Sequence, residues 1–131
     1  MSKTYEFLVQ CDFFVVTTVN ENAPAARPFG AVMEYNEELY ISTANTKKVY
    51  SQLKENPRIQ IIAKKDEARD WIRIDGNAIE VFDLDIKQAM LDHCPGLLKH
   101  FPAKESENFA LFKISEMKSQ LHASQGATLL T

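Results

Sequence analysis

The chain has 131 residues, 45% of them hydrophobic and 25% charged, with a net charge of −3. That length suits one domain over residues 1–131 and is too short for two, and the composition is that of a globular protein. The acidic balance excludes a broad nucleic-acid surface, and no apolar run reaches the length of a membrane span. Met1-Ser2-Lys3-Thr4-Tyr5 leads into no signal-peptide core, so a cytoplasmic setting is expected. Cys11 and Cys94 lack metal or redox spacing and are expected to be free thiols.

A short helix is predicted over residues 3–11, with Tyr5, Phe7, Leu8 and Cys11 as its apolar side. Phe13-Phe14-Val15-Val16-Thr17-Thr18-Val19 is aromatic and β-branched and reads as a buried strand. Asn20-Glu21-Asn22-Ala23-Pro24 supplies a hairpin turn. A second strand is expected from about Ala26 to Tyr35, a tight turn at Asn36-Glu37-Glu38, and a third strand over 39–43. Arg27 lies on the second strand, which is expected to pair with the Leu39–Ile41 segment.

A helix is predicted over 46–55, with Val49 and Leu53 on one face, and Pro57 stops it. Arg58–Ala63 is a fourth strand, 64–69 an exposed loop, and Trp71–Phe82 a long fifth strand. In that strand Ile72 and Ile74 are even-numbered while Ile79 and Val81 are odd, a phase slip beside Gly76 that predicts a bulge or sharp bend. A helix over 84–93, capped by Asp83 or Asp85, comes next. A loop with Pro95-Gly96 and Pro102 leads to a last strand from Phe109 to Met117, extending towards Leu121. The tail after Ser124 is expected to fray. Hairpin order without regular βαβ alternation predicts a mainly β protein, a six-stranded Greek-key or closed barrel with short helices as lids.

The helix at 46–55 begins with Lys47-Lys48, although a helix N-terminus already carries partial positive charge and unpaired N–H groups. An anion docked there reverses the sign of that interaction. Arg27 adds a planar fork, Lys47 and Lys48 add point charges, and Asn45 and Thr46 add neutral polar groups, so the set reads as a phosphate cradle. No Walker or dinucleotide Gly-rich loop is present. His93, His100 and His122 read as structural or solvated, His93-Cys94 is no metal pair, and no paired carboxylates mark an acid–base site. No catalytic residue and no metal ligand is assigned.

The segments Val15–Val19, Ala26-Arg27-Pro28-Phe29-Gly30, Leu39–Lys48, Asn56-Pro57-Arg58-Ile59 and Ile72–Ala78 together resemble the pyridoxamine 5′-phosphate oxidase-like FMN-binding split barrels, over about residues 12–82. The resemblance implies a split-barrel homodimer with FMN at the interface and an active site shared between subunits. It implies that Arg27 and Lys48 hold the FMN phosphate, assisted by Asn45, Thr46 and Lys47. Pro28, Phe29, Gly30, Ala31 and Val32 would run along the flavin ring, and Ile41, Ser42 and Thr43 would touch the flavin or ribityl chain. Trp71 falls where the oxidase has a glutamine that reaches the flavin of the partner subunit.

Two departures bear on the substrate. The sixth position of the Arg27 stretch is Val32 where the oxidase has lysine, and Gln120–Gly126 lacks the arginine of the oxidase's C-terminal substrate motif. Pyridoxamine phosphate is therefore not the expected substrate. The expected activity is NAD(P)H-dependent reduction of a small organic acceptor by an FMN oxidoreductase. The alternative is a non-catalytic flavin- or haem-binding, redox-sensing module.

Overall fold

The computed structural model describes residues 2–130. Helix α1 (Lys3–Val9) leads into strands β1 (Phe14–Asn20), β2 (Ala23–Phe29), β3 (Val32–Tyr35) and β4 (Glu38–Ala44). Helix α2 (Lys48–Glu55) is followed by β5 (Arg58–Lys64) and β6 (Trp71–Val81), then helix α3 (Leu84–His93) and a 3-10 helix (Pro95–Lys99). Strands β7 (Phe109–Ala123) and β8 (Gly126–Leu129) complete the order.

All ladders are antiparallel, and the sheet runs β2-β1-β5-β6-β7-β4-β3, with β8 on the end of β7. One face of nearly every strand feeds a single core: Phe14 and Val16 from β1, Val32 from β3, Ile41 from β4, Ile61 from β5, Ile74 from β6 and Phe112 from β7. A sheet whose one face surrounds one core is rolled into a barrel. The roll stays open between β2 and β3, the two ends of the strand order, which only Gly30 and Ala31 connect. The expected mainly β split barrel is therefore the fold, with eight strands among the described residues rather than six.

The two extra strands have separate causes. The predicted second strand, 26–35, is two strands that leave in different directions: β2 pairs with β1, whereas β3 pairs with β4. Arg27 accordingly sits opposite Val16, not beside the Leu39–Ile41 segment. The tail does not fray, because Gly126, at φ 117°, turns it back so that Ala127 and Thr128 pair with His122 and Leu121. Phe13, expected in the first strand, lies just before it and is 53% exposed.

A second apolar layer covers the outer face of β3, β4 and β7. Met90 and Leu91 of α3, together with Phe101, pack there on Met33, Tyr40, Phe109 and Leu111. Asp83 caps α3, its carboxylate accepting from the amides of Asp85 and Ile86. This layer explains the apolar phase change in β6. Residues 72, 74, 76 and 78 are all buried, so β6 never slips; Val81 instead belongs to the outer face and packs on the second layer. The bulge is real but its extra residue is on β7, where Glu116 has φ 51° between the pairs Asp75–Lys118 and Asn77–Ser115.

Gly76 meets that bulge closely. A Cβ there would lie 2.8 Å from Ile114 Cγ2 and 2.9 Å from the Ser115 carbonyl oxygen. Gly76→Ala is expected to lower unfolding stability by about 1–3 kcal/mol in a urea titration. Gly96→Ala, where no atom lies within 4 Å, should cost far less.

Cys11 and Cys94 are free thiols, as expected, and both line a small cavity that also includes His93 and Gly30. Burial is the main cause that pushes both thiols above their ordinary pKa, partly opposed by Lys65 at Cys11 and by a backbone hydrogen bond at Val32 for Cys94. A raised pKa leaves less thiolate at a given pH. Iodoacetamide should thus label both cysteines more slowly than free cysteine at about pH 8, with label uptake rising at higher pH than the ordinary midpoint of about 8.5. Mass spectrometry with and without denaturant reads this directly.

Candidate functional site

The break between β2 and β3 opens onto a cleft of about 520 Å³. Arg27, Pro28, Phe29, Gly30 and Ala31 line one side, and Ser42, Thr43 and Ala44 of β4 line its floor. Lys47 enters from the start of α2. The other wall comes from the 3-10 helix and the residues that follow it: Leu97, Lys99, His100 and Phe101, with Asn108.

Arg27 is fixed before any ligand arrives. Its guanidinium donates to the Thr18 hydroxyl at 2.8 Å, to the Val16 carbonyl at 3.2 Å and to the Gln52 side-chain oxygen at 2.7 Å. The Thr18 hydroxyl in turn donates to the same Gln52 oxygen at 2.6 Å. Burial lowers the Arg27 pKa, but from so high a starting value that the group stays cationic. A half-buried guanidinium held by neutral acceptors, with no carboxylate on it, keeps its charge available to an anion in the cleft. Gln52 lies on α2, so this network rather than strand pairing brings Arg27 to the helix that carries Lys47 and Lys48.

The N-terminus of α2 has no side-chain cap and no acidic residue in its first turn. Lys47 is the N-cap residue and Lys48 the first helical residue, and both are exposed. The loop before the helix is held by the Asn45 amide, which donates to the Asn108 carbonyl at 2.9 Å, and by Asn45 Nδ2, which donates to the Glu107 carbonyl at 2.8 Å. On the floor, Ser42 is only 8% exposed and its hydroxyl is buried without a hydrogen-bond partner. A buried unpaired hydroxyl costs free energy, which a polar ligand in the cleft would recover. Cation, helix terminus and orphaned hydroxyl thus converge on one cavity of ligand size.

A family model described as pyridoxamine 5′-phosphate oxidase matches residues 2–123. The chain belongs to that family. A NimC/NimA family protein from Clostridium acetobutylicum has a similar structure, with a TM-score of 0.89 and 30% identity over 96% of this chain and 87% of that one. General Stress Protein 26 from Bacillus anthracis shares the fold at a TM-score of 0.74 and 19% identity, covering 98% of this chain and 96% of that one. A heme binding protein from Mycobacterium smegmatis shares it at a TM-score of 0.74 and 13% identity, over 93% of this chain and 53% of that one. No curated protein sequence matches the chain.

Within this oxidase-family barrel, the residues singled out in the sequence divide into three groups. Arg27, Pro28, Phe29, Gly30, Ala31, Ser42, Thr43 and Lys47 line the cleft together. Val32 and Ile41 pair with each other beneath it, inside the core. Asn45, Thr46 and Lys48 are exposed around the start of α2 and do not line the cavity itself. Trp71 stands apart on β6, stacked on His122 with ring centroids 4.0 Å apart, and the Arg73 guanidinium carbon lies 5.1 Å from the centroid of the Trp71 ring.

The sequence reading missed the wall at 97–101, Asn108, and the pair Thr18 and Gln52 that fixes Arg27. Nothing in a Pro-Gly-Leu-Leu-Lys run signals a binding wall, and Gln52 reads in sequence as a polar helix position. Among the described residues no cluster of three His, Cys, Asp or Glu side chains is placed to hold a metal, and no helix is long and apolar enough to cross a membrane.

Gln52 offers a test of the network. Gln52→Leu removes the oxygen that accepts from both Arg27 and Thr18, and is expected to cost about 1.5–3 kcal/mol of unfolding stability, as for hydrogen bonds to a charged group. Chemical denaturation of the two proteins checks it.

Proposed function

We propose that this cleft binds FMN and that the protein is an FMN-dependent oxidoreductase, reducing a small organic acceptor with NAD(P)H as electron donor. The observation that carries the reading is the Arg27 guanidinium, pinned by Thr18 and Gln52 and left without an acidic partner at the mouth of a cavity that also holds Lys47 and the unpaired Ser42 hydroxyl. These residues fit the group: two cations suit a phosphate monoester of charge about −1.5 to −2, and a buried hydroxyl suits a polyol or a polar ring edge.

In this reading Arg27 and Lys47 hold the phosphate, with Thr46 and Lys48 adding positive potential and polar groups around the start of α2. The Pro28–Ala31 backbone offers N–H and C=O groups along the flavin, and Ser42 donates its hydroxyl hydrogen. Leu97 and Phe101 exclude water from one side. When bound, FMN supplies the two-electron chemistry, and the chain supplies orientation and electrostatic tuning. The working unit in this reading is a cytoplasmic homodimer with the cofactor at the interface, and Trp71 reaches the cleft of the second copy. Pyridoxamine phosphate is not the proposed substrate, for Val32 and the 120–126 segment lack the cations that would bind it.

A second reading, a haem or flavin carrier without turnover, is favoured by His100, an exposed imidazole in the wall of the same cleft. The visible spectrum separates the two, since haem and flavin absorb differently, and mass analysis of the released cofactor identifies it.

FMN titration of the purified protein is expected to quench flavin fluorescence, with FMN bound more tightly than riboflavin. Arg27→Ala should weaken FMN binding by about 2 kcal/mol, roughly 30-fold, and Lys47→Ala by less. Equal affinity of the Arg27→Ala variant and the wild type would place the phosphate elsewhere.

A further inference from the structure

Every charged side chain lining the cleft is basic. Arg27, Lys47 and Lys99 face it, His100 stands beside Lys99, and no aspartate or glutamate among the described residues contributes, in a chain whose net charge is −3. The cations come from two different parts of the fold. Arg27 and Lys47 belong to the β2 and α2 side, linked through Gln52. Lys99 ends the 3-10 helix of the other wall, which is anchored independently: Leu97 packs in the outer layer, and Phe101 stacks on Phe109 with centroids 4.8 Å apart.

One phosphate is matched in charge by Arg27 and Lys47 alone. Lys99 is then surplus, and among the described residues its ammonium group makes no hydrogen bond and no ion pair. Lys99 lines the cleft together with apolar Leu97, Phe101 and Phe29.

We propose that the cleft takes, besides its cofactor, a small planar organic anion, a carboxylate-bearing aromatic, whose charge is met by Lys99 and whose ring lies against the apolar wall of Leu97 and Phe101. This deepens the flavin reading and rests on it for the cofactor, but it assigns the acceptor class to residues that the cofactor does not need. Lys99 is a specificity-determining residue here, and takes no part in the electron transfer.

Benzoate and benzamide have nearly the same shape and differ in charge, so they isolate this interaction. FMN-loaded protein is titrated with each while the visible flavin spectrum is followed. Benzoate is expected to bind about fivefold or more tightly than benzamide, the scale of one half-exposed ion pair. The preference should shrink with added salt. Lys99→Met should abolish it while FMN affinity stays within about threefold of wild type, and Lys104→Met, which removes the same charge outside the cleft, should retain it. In turnover with NADH, Lys99→Met should raise KM for 4-nitrobenzoate and leave kcat, and both constants for 4-nitrobenzamide, nearly unchanged.

Equal binding of benzoate and benzamide overturns the proposal, as does a Lys99→Met variant that keeps the preference. A Lys99→Met variant that loses FMN as severely as Arg27→Ala also overturns it, by giving Lys99 to the phosphate. Failure of the flavin reading shows separately, as wild-type protein that does not retain FMN. Calorimetry of benzoate and benzamide against that same protein then still decides whether the cleft prefers the anion.

Discussion

The sheet does not close, and most of what this protein offers chemically follows from that. Edge strands carry unpaired N–H and C=O groups, and a barrel ordinarily removes them by completing its ladder. Here β2 and β3 end the strand order while following each other in sequence, so Gly30-Ala31 bridges a gap that no ladder fills. The cleft lies at this gap, and the backbone of Pro28–Ala31 forms its lip. Backbone groups that a closed barrel would spend on pairing face a cavity of ligand size instead.

Charge is placed at the gap by a short chain of hydrogen bonds. The Gln52 oxygen accepts from Arg27 at 2.7 Å and from Thr18 at 2.6 Å, tying α2 to β1 and β2. A neutral acceptor orients the guanidinium without cancelling it, which an aspartate or glutamate in the same place would do. The same economy explains the start of α2, where lysines replace the acidic or hydroxyl residues that usually stabilise a helix N-terminus. Local helix stability is given up for a positive potential at the cavity. Elsewhere the helix is compensated, because Lys54 pairs with Glu80 at 2.9 Å and Tyr50 donates to the same carboxylate at 2.8 Å. That carboxylate bond is the leading cause of the raised pKa of both Tyr50 and Lys54.

Two apolar layers divide the remaining work. The inner core fills the split barrel, and the outer layer of Met33, Tyr40, Met90, Leu91, Phe101, Phe109 and Leu111 holds α3 and the 3-10 helix against β3, β4 and β7. Because Leu97 and Phe101 are anchored in or beside that layer, Lys99 and His100 are presented to the cleft from a fixed wall rather than from a loose loop. Membership of the pyridoxamine 5′-phosphate oxidase family gives the scaffold, and the second apolar layer fixes the wall at 97–101 upon it.

Most strands, the three α-helices, the stop at Pro57, a cap at Asp83 or Asp85 and the mainly β class were legible in the residues, because each depends on local periodicity and capping. The basic cradle was legible in part: Arg27 and Lys47 do reach one cavity, but through Gln52 rather than through pairing of the strands that a straight 26–35 strand would require. Three matters were decided only in three dimensions. Whether 26–35 is one strand or two depends on which neighbours compete for its backbone, and β1 wins one half while β4 wins the other. The extra residue of the bulge falls on β7 because Gly76 leaves room there for the Glu116 backbone to turn. The wall at 97–101 exists because distant Phe109 gives Phe101 a ring to stack on and the outer apolar layer takes Leu97. Local pattern fixes what each segment is; packing between segments far apart in the chain fixes which of them face one another.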